Sequence, residues 1–126
     1  MALAKIHIRP RDPQANPTSS VFNTLVVKEH TEGTVKVTVT DGDRNSAVFV
    51  IPTNPESIRA FAHGLTSTEL WEETIAWMED EFPEKSQFWR VTCNSTGFEG
   101  SYIAANNISE LHTAVGDALF MVCSSM

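Results

Sequence analysis

The chain has 126 residues, of which 41% are apolar and 20% charged, with a net charge of −7 and a pI near 4.9. That length suits one domain with its own core, and the composition excludes a disordered chain. The acidic balance disfavours direct nucleic-acid binding and anionic membranes, and no apolar run has the length of a membrane span or a signal segment. The expectation is one soluble, cytoplasmic domain over 1–126, with a first strand at 1–9, a proline-rich loop at 10–20 and the main body at 21–126.

Lys5-Ile6-His7-Ile8-Arg9 alternates polar and apolar residues, the period of a half-buried strand. Pro10, Pro13 and Pro17 then punctuate a polar loop. Val21 to Glu29 and Thr34 to Thr40 read as strands joined by a turn at Glu32-Gly33. Asp41-Gly42-Asp43 turns the chain again, and the continuous apolar run Ala47–Ile51 reads as a more fully buried strand.

Helix signals follow. Asn54 caps, Pro55 suits the first helical position, Glu56 the first turn, and Ile58, Phe61, Ala62 and Leu65 form a stripe that Gly64 is placed to stop. A second helix starts at Thr66, with Glu69 completing a capping box, and runs to Phe82 before Pro83. Trp71, Ile75, Met78 and Phe82 make its core face. Phe88–Cys93 is the next strand, Asn94–Gly97 a turn and Phe98–Ala105 a further strand. A last helix opens at Asn107 and carries Leu111, Val115, Ala118 and Val122 at core spacing.

Strand–turn–strand–helix thus occurs twice, with Asn54 corresponding to Asn107 and Ile58 to Leu111. The fold class that follows is α+β: a mostly antiparallel sheet with two or three helices on one face and a strand–strand–helix pseudo-repeat.

Chemical signatures are weak. Asp41, Asp43 and Asn45 begin a calcium-loop pattern, but Ser46 replaces the required Gly and Pro52 the required Glu. His7, His30, His63 and His112 are scattered and read as surface or rim residues. Cys93 and Cys123 read as buried reduced thiols, and Cys93 paired with His112 as nucleophile and base lacks a charged neighbour to lower the thiol pKa. No metal, cofactor or catalytic residue is expected.

The strongest signal is electrostatic. Glu69, Glu72, Glu73, Glu79, Asp80, Glu81 and Glu84 fall in one segment without a Lys or Arg, and they equal the net charge of the chain. Acids at the end of a helix oppose the macrodipole, which a sequence selected for stability alone avoids. Trp77 lies off the core face among Glu73, Asp80 and Glu81, where it reads as a binding anchor; the competing reading is a solvated acidic face with Trp77 covering a second core layer. The leading expectation is a non-enzymatic inhibitor or immunity-type module that presents this helix to a basic protein surface on a toxin, a nuclease or a nucleic-acid-binding complex. The alternatives are a small-ligand-binding or minimally catalytic domain lined by Tyr102, Asn106, Asn107 and His112, and a self-assembling subunit. Lys5, His7, Arg9 and Arg11 read as the charged guard of an edge strand, or as a patch that meets the acidic helix of another copy.

Overall fold

A computed structural model of the chain describes residues 3–10, 21–81, 88–95, 98–105 and 108–124. The elements in chain order are β1 (Leu3–Pro10), β2 (Phe22–Glu29), β3 (Thr34–Asp41), β4 (Ser46–Pro52), α1 (Pro55–Thr66), α2 (Glu69–Glu81), β5 (Phe88–Ser95), β6 (Phe98–Ala105) and α3 (Ile108–Ser124). The six strands form one antiparallel sheet in the order β4-β3-β2-β1-β5-β6. The helices lie on one face of it: α3 covers β5, β6 and β1, α1 packs on α3 and β4, and α2 places Trp71 against Trp89 of β5 at 5.2 Å between ring centroids. The fold is α+β. Its two strand–strand–helix units, β3–β4–α1 and β5–β6–α3, take opposite edges of the sheet, and their helices meet over its middle.

Strand alternation builds the core. Ala4, Ile6 and Ile8 of β1, Leu25 and Val27 of β2, Val35, Val37 and Val39 of β3, and Trp89, Val91 and Cys93 of β5 are buried under the helices. Each fully buried aliphatic side chain contributes roughly 1.5–3 kcal/mol, so this face dominates the stability of the sheet. Leu111, Val115, Leu119 and Val122 of α3 and Ile58 and Ala62 of α1 close it from above.

Five expectations need correction. β4 is not a buried strand: Val48, Phe49 and Val50 are exposed and Ile51 alone is buried, because β4 pairs only with β3 and ends the sheet. β1 is not an edge strand. It lies between β2 and β5, so Lys5, His7 and Arg9 stand in the middle of the uncovered face and guard no edge; Arg11 lies outside the described residues. Gly64 does not stop α1, which continues to Thr66 with the Ser67 N–H bonding the His63 carbonyl at 2.9 Å. The cap of α2 is Thr68, whose hydroxyl accepts from Trp71 N–H at 3.2 Å, so no capping box forms between Thr66 and Glu69. Asn94 and Ser95 belong to β5, since Asn94 pairs with Glu99 and Ser95 with Phe98.

Local chemistry explains the rest. Asn54 Oδ1 accepts the Ser57 N–H at 2.8 Å and caps α1 as expected. Asp41 spends its carboxylate inside the β3–β4 turn, accepting from the backbone N–H of Asp43 at 2.8 Å and of Asn45 at 3.0 Å. These bonds hold the tight turn, and no group of three or more His, Cys, Asp or Glu side chains that could hold a metal ion occurs among the described residues. No helix of the described residues is long and apolar enough to cross a membrane.

Candidate functional site

Helix α2 has two faces. Trp71, Thr74 and Ile75 are buried; of the residues expected with them, Met78 has no described side chain and Phe82 lies outside the described residues, and Thr74 joins the face by donating its hydroxyl to the Leu70 carbonyl at 2.7 Å. On the outward side, Leu70, Glu73, Trp77 and Asp80 follow each other at spacings of three and four residues and so form one ridge. Leu70 is 46% exposed, Glu73 and Asp80 are exposed, and Trp77 is half-buried against the margin of the core. Glu69 and Glu72 are also exposed and flank the ridge. Glu79 and Glu81 lie in the helix without described side chains, and Glu84 lies outside the described residues.

The ridge therefore differs from the expected ring of acids around one tryptophan. Part of the Trp77 ring is used in folding, and Leu70, which the sequence reading passed over, is an exposed large apolar side chain on the same ridge. The signal for Leu70 was available: it lies seven residues before Trp77, two full turns on the same side. No basic residue occupies the last turn of α2, so the negative end of its dipole stays uncompensated from within the helix.

A second arrangement lies where α1, α2 and α3 meet. His63 of α1 and His112 of α3 stack with ring centroids 4.2 Å apart, joined through the α1–α2 corner. Thr66 donates its single hydroxyl proton to the Ala62 carbonyl at 2.7 Å. Its oxygen is thereby left to accept from His112 Nδ1, which it contacts directly, and His112 Nε2 is left as an acceptor. Ser67 Oγ lies 3.1 Å from that Nε2 and 3.2 Å from His63 Nδ1, so it donates to His112 and accepts from His63. Burial, and then the neighbouring His63, hold the His112 pKa below its ordinary value, which agrees with a neutral ring.

Sequence reasoning took these histidines as scattered, and folding gathers two of the four. His63 and His112 also line a groove of 360 Å³ with Arg59, Thr113, Gly116 and Asp117. Tyr102, expected beside His112, instead lines a separate groove of 330 Å³ with Ser109, Glu110 and Thr113, while Asn106 and Asn107 lie outside the described residues. Cys93 is not brought to His112: its thiol contacts the Gly100 carbonyl at 3.7 Å, and burial raises its pKa, which disfavours the thiolate. Cys123 is half-buried rather than fully buried, with burial pushing its pKa up to about 11.

Searches against protein families, curated proteins and solved structures found no match to this chain.

Proposed function

We propose that the protein is a binding module of the inhibitor or immunity type, which acts by occupying a basic protein surface with helix α2. The observation that carries this reading is the outward ridge Leu70–Glu73–Trp77–Asp80, where apolar and acidic side chains alternate on a helix whose other face is anchored in the core. Apolar groups in such a ridge supply the contact energy, and the carboxylates around them steer a cationic partner into place. A toxin or nuclease that binds phosphates offers such a surface, and carboxylates displayed on a rigid helix compete for it.

Affinity capture with the wild type beside a Glu73→Lys, Asp80→Lys variant tests this reading. Basic proteins should be retained by the wild type and lost by the variant. Leu70→Ala should speed dissociation with little change in association, and Trp77→Ala should weaken binding by about 2 kcal/mol. Equal capture by the wild type and the charge-reversed variant would remove the basis for the reading.

One observation favours a second reading, a minimally catalytic domain. Ser67, His112 and Thr66 stand in the relation of nucleophile, base and orienting group, with Ser67 one residue ahead of the α2 cap. In such a step Ser67 Oγ attacks an acyl carbon, its proton passes to His112 Nε2, and the leaving group departs carrying that proton. An aryl sulfonyl fluoride followed by peptide mass spectrometry should then label Ser67 in the wild type and not in His112→Gln. No adduct at Ser67 in the wild type would rule the reading out.

A further inference from the structure

The face of the sheet opposite the helices is basic, although the chain is acidic. Lys5 and Arg9 of β1, Lys28 of β2, Lys36 of β3 and Arg90 of β5 are exposed on it, five of the nine lysines and arginines in the chain. Among the described residues, Glu99 of β6 is the one carboxylate that strand register puts on this face, and it accepts from Asn94 Nδ2 at 3.3 Å. Half-buried Thr24, Val26, Thr38, Thr40 and Thr92 lie among the cations, and a concavity of 620 Å³ opens beside Lys5, His7, Thr92, Asn94 and Glu99.

The register makes this arrangement costly. Lys28 stands directly opposite Lys36, and Arg9 directly opposite Arg90. Like charges in directly opposite cross-strand positions destabilise a sheet. His7 lies between Lys5 and Arg9, and burial together with those two cations lowers its pKa. A sheet selected for stability alone would place a carboxylate at one member of each pair. An anionic partner against the face offsets the repulsion.

The geometry points to a second copy of this chain as that partner, with its helix α2 laid across the open sheet face. This inference rests on the reading of α2 as a binding helix. The cations run diagonally from Lys36 to Arg90, crossing three strand spacings and six residues of rise, about 25 Å in all. Helix α2, with 13 residues, is about 20 Å long. Its Glu69, Glu72, Glu73 and Asp80 match the band in charge. Leu70 and Trp77 meet apolar residues there too, since Val48 and Val50 are 54% and 51% exposed at the β4 end of the same face. Those valines offer no plane on which a nucleic-acid base stacks. The acidic helix and the basic face lie on opposite sides of the sheet and cannot meet within one molecule, so the contact is head-to-tail and propagates into a ring or a filament. Two copies of charge −7 repel at long range, but within a Debye length of about 8 Å at physiological salt the facing charges are opposite.

Sedimentation velocity on the full chain tests the inference. The wild type should form concentration-dependent oligomers at about 0.15 M salt and dissociate at about 1 M. Lys36→Glu with Arg90→Glu should weaken association at least about tenfold, as should Glu73→Lys with Asp80→Lys. An equimolar mixture of the two reversed proteins should associate again, since each then offers the surface that the other lost. A wild type that stays monomeric at high concentration, a reversed protein that still assembles, or a mixture that does not recover would each overturn the inference. So would tight binding of a single-stranded oligonucleotide, followed by fluorescence anisotropy and lost in the sheet variant. The sheet variant leaves α2 intact and freed from self-assembly, so its capture of basic proteins should equal or exceed that of the wild type. Loss of assembly with capture retained in that variant keeps the two claims separable.

Discussion

The two faces of the sheet use the same strands to opposite ends. Toward the helices, the central strands present aliphatic and aromatic side chains that are mostly almost fully buried and mutually consistent. On the open side, threonines and valines lie among cations, and two cation pairs face each other across neighbouring strands. The covered face is explained by burial alone. The open face is not, because register turns residues that are individually ordinary on a surface into pairs that weaken the fold. Residues that cost stability without filling a core position mark where selection answered to something outside the molecule.

Substitution of neighbours on a single strand breaks or sharpens this contrast. Trp89 of β5 is fully buried against Trp71, so Trp89→Ala should lose about 3–5 kcal/mol in equilibrium denaturation. A loss under 1 kcal/mol would mean that the covered face does not hold the sheet. Within α2 the same logic separates two tryptophans. Trp71→Ala should cost several kcal/mol, and Trp77→Ala, half-buried at the margin, clearly less. Equal losses would place Trp77 in the core and weaken its role in the binding ridge. Trp71 Nε1 is buried with no hydrogen-bond partner among the described residues, so Trp71→Phe should lose less than the change in volume implies.

The pH dependence is a smaller effect and also divides by location. His7 on the open face and His112 under α1 both have pKa values below 6.5 in the fold, so the folded state favours their neutral forms. The stability they contribute is complete above pH 6.5 and is lost as pH falls toward their folded values. Cys123 runs the other way. Its pKa rises from 9.0 to about 11, so its contribution is complete below pH 9 and is lost as pH climbs from 9 to 11. Melting temperature should peak between those limits; His7→Gln and His112→Gln should flatten the acid side, and Cys123→Ala the alkaline side. A profile unchanged by all three substitutions would contradict this assignment.

What the sequence disclosed follows the range of its signals. Alternation in Lys5–Arg9 and Thr34–Thr40 and the helical spacing of Trp71 and Ile75 are local, and each placed its element correctly. The position of a strand in the sheet is not local. The run Ala47–Ile51 has the composition of a central strand and lies at an edge, while β1, charged on one side, lies in the middle. The candidate site divides in the same way. The acidic residues of α2 were legible as a segment, and the ridge that includes Leu70 needed only helical periodicity. The pairings Arg9 with Arg90 and His63 with His112 join distant parts of the chain, and only the folded register brings them together.

The central claim is that the cations of the open face serve binding at the expense of stability. One variant, Arg90→Glu, measured for both properties tests it most directly, because it turns a repulsive pair with Arg9 into an attractive one without touching the core. The account predicts that its unfolding free energy rises by roughly 0.2–1 kcal/mol, seen as a higher denaturation midpoint with an unchanged slope, while self-association of the same sample weakens. A lower midpoint with association unchanged would contradict it.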